Sequence, residues 1–356
     1  MDTGATRVWN SRPYRQGDEQ ALGLLYERIF ARPFDESIWR WQFERAIEDC
    51  GYIVFAEHGS TLVGQYAAIP VRMHIRGKKT LAALSLDTMT HPEYRKQGIF
   101  VTLAKEVYGR TQSLGVALVF GFPNDNSFHG FVTDLDFAVL ENLVAMARPV
   151  CIARAVREKM KSPLLAAVIG RPLQSICNAF CSKNTTDAAI TVESASRFPE
   201  SVTTLFDGCA LKSGSLVVRD YEYLSWRYDR NPRHSYDIFL GYRNGTLAGY
   251  CVSGTTERKG LTIGLIVDLF ADPHDRALTT SLVTAALEAM ERKEMHLASC
   301  LLPSKSPFRA TLRRLGFVFP MRRFPFIIRA NSDAVTSEAL MKGAGWHITF
   351  GDGDFV

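Results

Sequence analysis

Residues Leu86 to Phe100 read LDTMTHPEYRKQGIF and place a short basic turn, Arg95-Lys96-Gln97-Gly98, between a strand-like run and an amphipathic helix. A turn that feeds a helix N-terminus leaves main-chain N–H groups without intrahelical partners. Those groups, with the helix dipole, attract phosphate oxygens. Gly98 lets a diphosphate come close to the main chain, Arg95 and Lys96 add positive charge at the rim, and Gln97 adds neutral donors. The plainer reading of the same residues is a helix cap with solvated charges. Two nearby groups could take a proton. Asp87 sits at the end of the strand, and His129 offers an imidazole, a ring suited to general-base work.

The elements that must hold this turn can be read on either side of it. Ile99, Leu103 and Val107 recur every four residues beside Phe100 and Ala104, the stripe of a core-facing helix that Gly115 ends. Val116 to Phe120 is a continuous apolar run, short enough for a strand buried on both faces. Upstream, Tyr52 to Glu57 and Leu62 to Pro70 are strand-like runs around the turn-forming His58-Gly59-Ser60, and Leu84 to Thr90 is a further strand.

The same order occurs twice. Ile38 to Gly64 aligns without gaps on Tyr223 to Gly249: Trp41 meets Trp226, Thr61 meets Thr246 and Gly64 meets Gly249, all 185 residues apart. Asp87 then matches Asp268 and Pro92 matches Pro273 at 181, and Phe137 matches Phe317 at 180. Asn244-Gly245 is the second copy's hairpin signal, Leu278 to Met290 its long helix and Met295 to Leu302 its buried strand. Where the basic turn should be, the second copy has Asp272-Pro273-His274-Asp275-Arg276, with no glycine and with carboxylates that would repel phosphate.

A chain of 356 residues accommodates two such domains, and 46% hydrophobic with 22% charged residues excludes a disordered or fibrous protein. The net charge of +5 fits handling of phosphorylated small molecules and would also fit weak nucleic-acid binding. No run is long and apolar enough to span a membrane, and the first residues lack the apolar core of a secretory signal, so the expectation is a cytoplasmic protein. Seven scattered cysteines read as free thiols; Cys177 and Cys181 share a helix face without a second ligand pair for zinc. Residues 151 to 185 read as two helices broken at Gly170 to Pro172, an inter-domain brace with a membrane-surface helix as the alternative. Residues 331 to 356 read as a solvated or docking tail, with no metal site.

The order strand, His-Pro-x-Tyr-Arg-x-x-Gly-Ile, amphipathic helix, buried strand, Asn-rich turn, short helix and Phe137 resembles the GNAT superfamily of acyl-CoA-dependent N-acyltransferases. The likeness is strongest over Leu84 to Phe137 and fainter over 190 to 330. It implies an α/β (α+β) chain of two tandem GNAT-like domains, each a mixed, mostly antiparallel sheet flanked by helices. The expected boundaries are 1–150 for the donor-binding domain, 151–185 for a helical linker, 186–330 for a degenerate copy and 331–356 for the tail. By resemblance, Thr88, Met89 and Thr90 hold the pantetheine arm and thioester, Arg95 to Phe100 (with Lys96, Gln97, Gly98 and Ile99) hold the diphosphate, and Asn126 contacts the coenzyme arm. The chain departs from the family pattern at Phe100, where glycine or alanine is usual, at Val132, where a tyrosine acid often stands, and at Asp136-Phe137, in place of Gly-Phe.

The activity implied is transfer of an acyl group, acetyl first among them, from acetyl-CoA or another acyl-CoA to a primary amine of a small molecule or amino sugar. Asp87 or His129 would serve as base. The second copy would wall the acceptor pocket, with Trp39, Trp41, Trp226, Arg227 and Tyr228 as lining candidates and core packing as their other role. The alternatives are a non-catalytic acyl-CoA sensor and an aminoacyl-tRNA-dependent transferase of the peptidoglycan type. The intact turn at Arg95 to Gly98 counts against the latter. No nucleic-acid partner is expected, and the oligomeric state is not legible.

Overall fold

A computed structural model describes residues 8–49, 51–152, 154, 187–332 and 345–354. The two helices read between 151 and 185, and Cys177 and Cys181, lie outside the described residues. The chain divides into two compact units. Among the described residues, unit 1 holds 8–73, 79–141 and 325–332, and unit 2 holds 74–78, 142–324 and 345–354. Each unit therefore includes residues from far along the chain.

In unit 1 the strands β1 (Asn10–Pro13), β2 (Ile53–His58), β3 (Thr61–Ile75), β4 (Lys78–Thr90) and β5 (Leu118–Gly121) follow one another across the sheet. The outer pairs β1/β2 and β2/β3 are antiparallel, and β4/β5 is parallel, as a connection through a helix requires. Beyond β5 lies the last part of β13 (Phe319–Ala330), antiparallel, with Ile327 opposite Gly121 and Ala330 opposite Leu118. Helices α1 (Glu19–Phe30) and α2 (Glu36–Glu48) precede β2; α3 (Ile99–Ser113) crosses from β4 to β5, and α4 (Asp125–Asp134) follows β5. The apolar stripe behaves as its spacing dictates: Ile99, Leu103, Ala104 and Val107 are all buried. Its tight seat is visible at Gly64 on β3, where a Cβ would stand 2.5 Å from the Ile99 Cγ2.

Unit 2 repeats the plan. Strands β9 (Asp237–Arg243), β10 (Thr246–Arg258) and β11 (Leu261–Ala271) form an antiparallel run, and β11 pairs in parallel with β12 (Leu297–Leu302) across the helix Arg276–Arg292. β7 (Ile190–Ala195) adds to β9, and β6 (Ala138–Pro149) adds to β12. The β9–β10 hairpin turns through Asn244 (φ 50) and Gly245 (φ 77), two left-handed residues in the pattern its Asn-Gly pair demands. The core gathers Leu278, Leu282, Val283, Ala286 and Met290 of the helix against Cys251, Ile266 and Cys300 of the sheet, with Phe317 below.

The short strand β14 (Trp346–His347) pairs in parallel with β8 (Ser215–Val217), and a 3-10 turn follows at Phe350–Asp352. Residues 346–353 are buried, so this part of the tail docks; the solvated alternative does not describe it.

Candidate functional site

The parallel register of β4 and β5 covers Ala82–Ser85 with Leu118–Gly121, and β4 then runs on through Leu86–Thr90. β5 ends there because the chain turns into α4. Asn124 caps that helix, its Oδ1 accepting from the N–H groups of Asn126 at 3.0 Å and Ser127 at 3.2 Å. The run-on of β4 is bent at Asp87, whose φ of 47° lies in the left-handed region. An aspartate held there costs about 1–2 kcal/mol, and the surroundings must hold it. Gln65 does so by donating from Nε2 to the Asp87 carbonyl at 2.8 Å, and Gln42 donates to the Asp87 Oδ2 at 3.2 Å. Thr88 and Thr90 on this run are half-buried and Met89 is buried.

After Thr90 the chain makes one 3-10 turn, Pro92–Tyr94, tied to the neighbouring strand by His91 N–H donating to the Val63 carbonyl at 2.9 Å. Lys96 (φ 63) and Gly98 (φ 74) are then both left-handed, so the amides alternate in the manner of an anion-binding nest. The first intrahelical bond of α3 runs from Thr102 N–H to the Gly98 carbonyl at 3.0 Å, which leaves the amides of Ile99, Phe100 and Val101 ahead of the ladder. Gly98 caps the helix and has no side chain to satisfy them. A Cβ on Gly98 would meet nothing within 4 Å, so glycine is required here by its φ, and the space in front of the turn is open. Arg95, Lys96, Gln97 and Gly98 are all exposed.

Phe100 explains itself in three dimensions. Its ring turns inward to an edge contact with Phe131 at 5.1 Å and lies 6.1 Å from Tyr66. The slot it fills exists because α4 carries Gly130, where a Cβ would stand 2.8 Å from Phe100 Cε1. The bulk at this position goes into the core, and only the main chain is left on the side of the turn. Behind it, Ser85 Oγ donates to the Tyr66 hydroxyl at 2.8 Å and Tyr66 shares a 2.7 Å bond with Tyr108. Burial pushes the Tyr66 phenol up to about 12 and Tyr108 well above its ordinary range, so both stay neutral. The Asp136-Phe137 departure is conformationally silent: Asp136 adopts φ 57°, as Gly316 at the matching place in unit 2 adopts φ 91°.

His129 is exposed on α4, 3.4 Å from the Thr133 hydroxyl, and Asn126 is exposed one turn earlier. Trp39 is buried among Tyr14, Phe34 and Phe43, while Trp41 is half-buried. Trp226, Arg227 and Tyr228 are interior residues of unit 2. Arg227 donates to the carbonyls of Gly351 at 3.0 Å and Gly353 at 2.7 Å, and Asp268, the match of Asp87, is buried in an ion pair with Arg219. Residue type did not separate these interior positions from pocket walls. The two features the sequence reading lacked were the left-handed Lys96 and the Phe100–Gly130 slot; a glycine inside a short helix was the visible trace of the second.

Residues 10–132 match a family model described as Acetyltransferase (GNAT) domain. Among curated proteins, none matches the sequence. Similar solved structures include a GCN5-related N-acetyltransferase from Anabaena variabilis ATCC 29413, with a TM-score of 0.65 at 12% identity over 91% of this chain and 73% of that one. A GCN5-related N-acetyltransferase from Kribbella flavida gives 0.60 at 12% identity over 90% and 71%. The N-myristoyltransferase of Saccharomyces cerevisiae, solved with bound myristoyl-CoA, gives 0.57 at 14% identity over 91% and 83%. At these identities the likeness speaks to the fold. The sequence match and the fold agree: residues 10–132 match the GNAT acetyltransferase domain, and the chain shares the fold of these neighbours.

Proposed function

We propose that this chain transfers an acyl group, acetyl first among the candidates, from acyl-CoA to a primary amine of a small molecule or amino sugar, with the donor held by unit 1. The observation that carries the reading is the start of α3. Three leading amides, two left-handed residues and two exposed cations surround an open space, and no side chain caps the helix. A diphosphate satisfies those groups together. Two of the structural neighbours are named as acetyltransferases, and the yeast enzyme was solved with bound myristoyl-CoA, which supports an acyl-CoA donor.

The thioester supplies an electrophilic carbonyl and a thiol leaving group with an ordinary pKa near ~8.5. As the amine nitrogen bonds to the carbonyl carbon, the carbon–sulfur bond breaks, the amine gives up a proton and the thiolate takes one from water. Thr88, Met89 and Thr90 would hold the arm along the run-on of β4, where a main-chain N–H aimed at the carbonyl oxygen stabilises the charge that develops there. Asn126, at the start of α4, would contact the arm from the other side. Asp87, oriented by Gln42, would receive the proton directly or through water, with His129 as the second candidate. Val132 leaves α4 without a tyrosine acid, which lowers the rate and does not abolish the reaction.

Calorimetric titration with acetyl-CoA tests the donor site: one site per chain at micromolar affinity or tighter is expected, and no heat refutes it. Free-thiol release measured across a panel of amines then separates the enzyme from the alternative that Val132 keeps open, a sensor that binds acyl-CoA without turnover. Binding without release with every amine would favour the sensor.

A further inference from the structure

The two parallel strand pairs are in the same register. Ala82–Ser85 pair with Leu118–Gly121 in unit 1, and Ile263–Ile266 pair with Leu297–Cys300 in unit 2. In both units the first strand then runs on, through Leu86–Thr90 in β4 and through Val267–Ala271 in β11. Asp268 therefore stands where Asp87 stands, and Leu269, Phe270 and Ala271 where Thr88, Met89 and Thr90 stand. The supporting residue is matched as well, because Tyr250, aligned with Gln65, donates from its hydroxyl to Asp268 Oδ2 at 2.9 Å.

What differs is what meets the run-on. In unit 2 the Leu269 N–H, counterpart of the Thr88 amide, donates to Asp268 Oδ1 at 2.9 Å, so it is taken up locally. Thr349 Oγ1 donates to the same carboxylate at 3.1 Å. Arg219, fully buried, binds Asp268 at 3.1 Å and Asp352 at 2.8 Å, tying the strand to the tail. Arg227 holds the Gly351 and Gly353 carbonyls, Thr349 and Asp352 close a capping box, and a Cβ on Gly351 would lie 3.3 Å from the Val267 carbonyl and overlap the Tyr228 hydroxyl. β14 completes the seat by pairing Trp346 and His347 with Ser215 and Leu216.

We propose that unit 2 has converted its counterpart of the donor site into a peptide site, and that its ligand is this chain's own segment 346–353. The identification of 87–90 as the thioester run rests on the function proposed above; the seating of the segment does not. Arg219 and Arg227 read an acidic side chain and two carbonyls, Asp268 reads a hydroxyl, and the small residue at 351 lets the segment lie flat on β11. Unit 2 therefore binds no coenzyme, and the chain carries one donor site.

Gly351→Ala sets a methyl against the Tyr228 hydroxyl and should lift the segment, while Tyr228→Phe removes a hydroxyl that has no hydrogen-bond partner and should change little. Hydrogen exchange read by mass spectrometry on the full chain should show amides of 267–271 and 346–353 exchanging at least tenfold faster in Gly351→Ala. In the double variant, exchange should return to within about threefold of the parent. Should Gly351→Ala not fold, Thr349→Val, which loses the capping box and the bond to Asp268, gives the same readout. Unchanged exchange in the lifted variants overturns the proposal, and so does acetyl-CoA binding at two sites per parent chain. Binding at no site, with the exchange pattern intact, removes the proposed function and leaves the peptide site standing.

Discussion

The starts of α3 in unit 1 and of the helix Arg276–Arg292 in unit 2 occupy the same place in two copies of one fold and solve one problem in opposite ways. Every helix begins with amides that need a partner. In unit 2 the partner is internal: Asp275 accepts from the Leu278 N–H at 3.0 Å and is itself gripped by Arg243 at 2.7 Å. In unit 1 the cap is Gly98 with φ 74°, no side chain among the described residues caps the helix, and the cations beside it are exposed. A helix end that supplies its own carboxylate is finished as structure; one that withholds it is ready for an external anion. The contrast between the copies, more than either motif alone, supports the donor site proposed for unit 1.

The sharpest break in that contrast is to give unit 1 the carboxylate of unit 2. Gly98→Asp should weaken acetyl-CoA binding about a thousandfold or more, the several kcal/mol that like charges cost at close quarters, and calorimetry reads it directly. A Gly98→Asp protein that still binds would remove the turn from the site. Next in size is the slot behind the turn. Gly130→Ala should destabilise unit 1 by about 2 kcal/mol by crowding Phe100, and almost not at all in a Phe100→Ala background, as urea midpoints would show. Additive effects would mean that the ring does not fill that slot.

The converse of the first change, Asp275→Ala, should cost unit 2 about 1–2 kcal/mol by exposing its helix end and should leave coenzyme binding untouched. The smallest effect distinguishes the docked segment. His347, lowered to about 3 by burial and then by the Arg219 charge, takes up no proton in the folded state at pH 5, whereas an unfolded histidine does below about 6.5. Unfolding is favoured by that uptake, so unit 2 should lose stability as the pH falls from 7 to 5. Asp268, which Arg219 holds low against the cost of burial, stays ionised in both states over this range and adds nothing, while Asp352, pushed up by burial, opposes the loss. A net loss is expected, and His347→Phe should shrink it. An unchanged pH dependence in that variant would assign the effect elsewhere.

Much of this organisation was legible in the residues. The period-four stripe of α3 gave a helix beginning at Ile99, the Asn-Gly pair gave the second hairpin, and the repeat placed Asp268 against Asp87. These are local signals or comparisons between two stretches of one chain, and both survive without knowledge of packing. The roles of large side chains were less legible. Trp39, Trp226, Arg227 and Tyr228 have the chemistry of a pocket wall, yet all four are interior, because the same apolar area serves a core or a ligand equally well. Asp87 and Asp268 show the same limit in another form: matched in sequence, one is bent into the left-handed region beside two glutamines, the other is locked to an arginine and a tail.

By itself the sequence determined the order of elements, their doubling and the chemistry of the turn at 95–98, since periodicity, turn residues and helix-end charge act over a few residues. Only the tertiary structure decided that Phe100 points inward, that residues 325–330 complete the sheet of unit 1, and that residues 346–353 fill unit 2. Those outcomes depend on which distant surfaces meet, and the free energy that selects them comes from burial and from paired charges contributed by segments far apart along the chain.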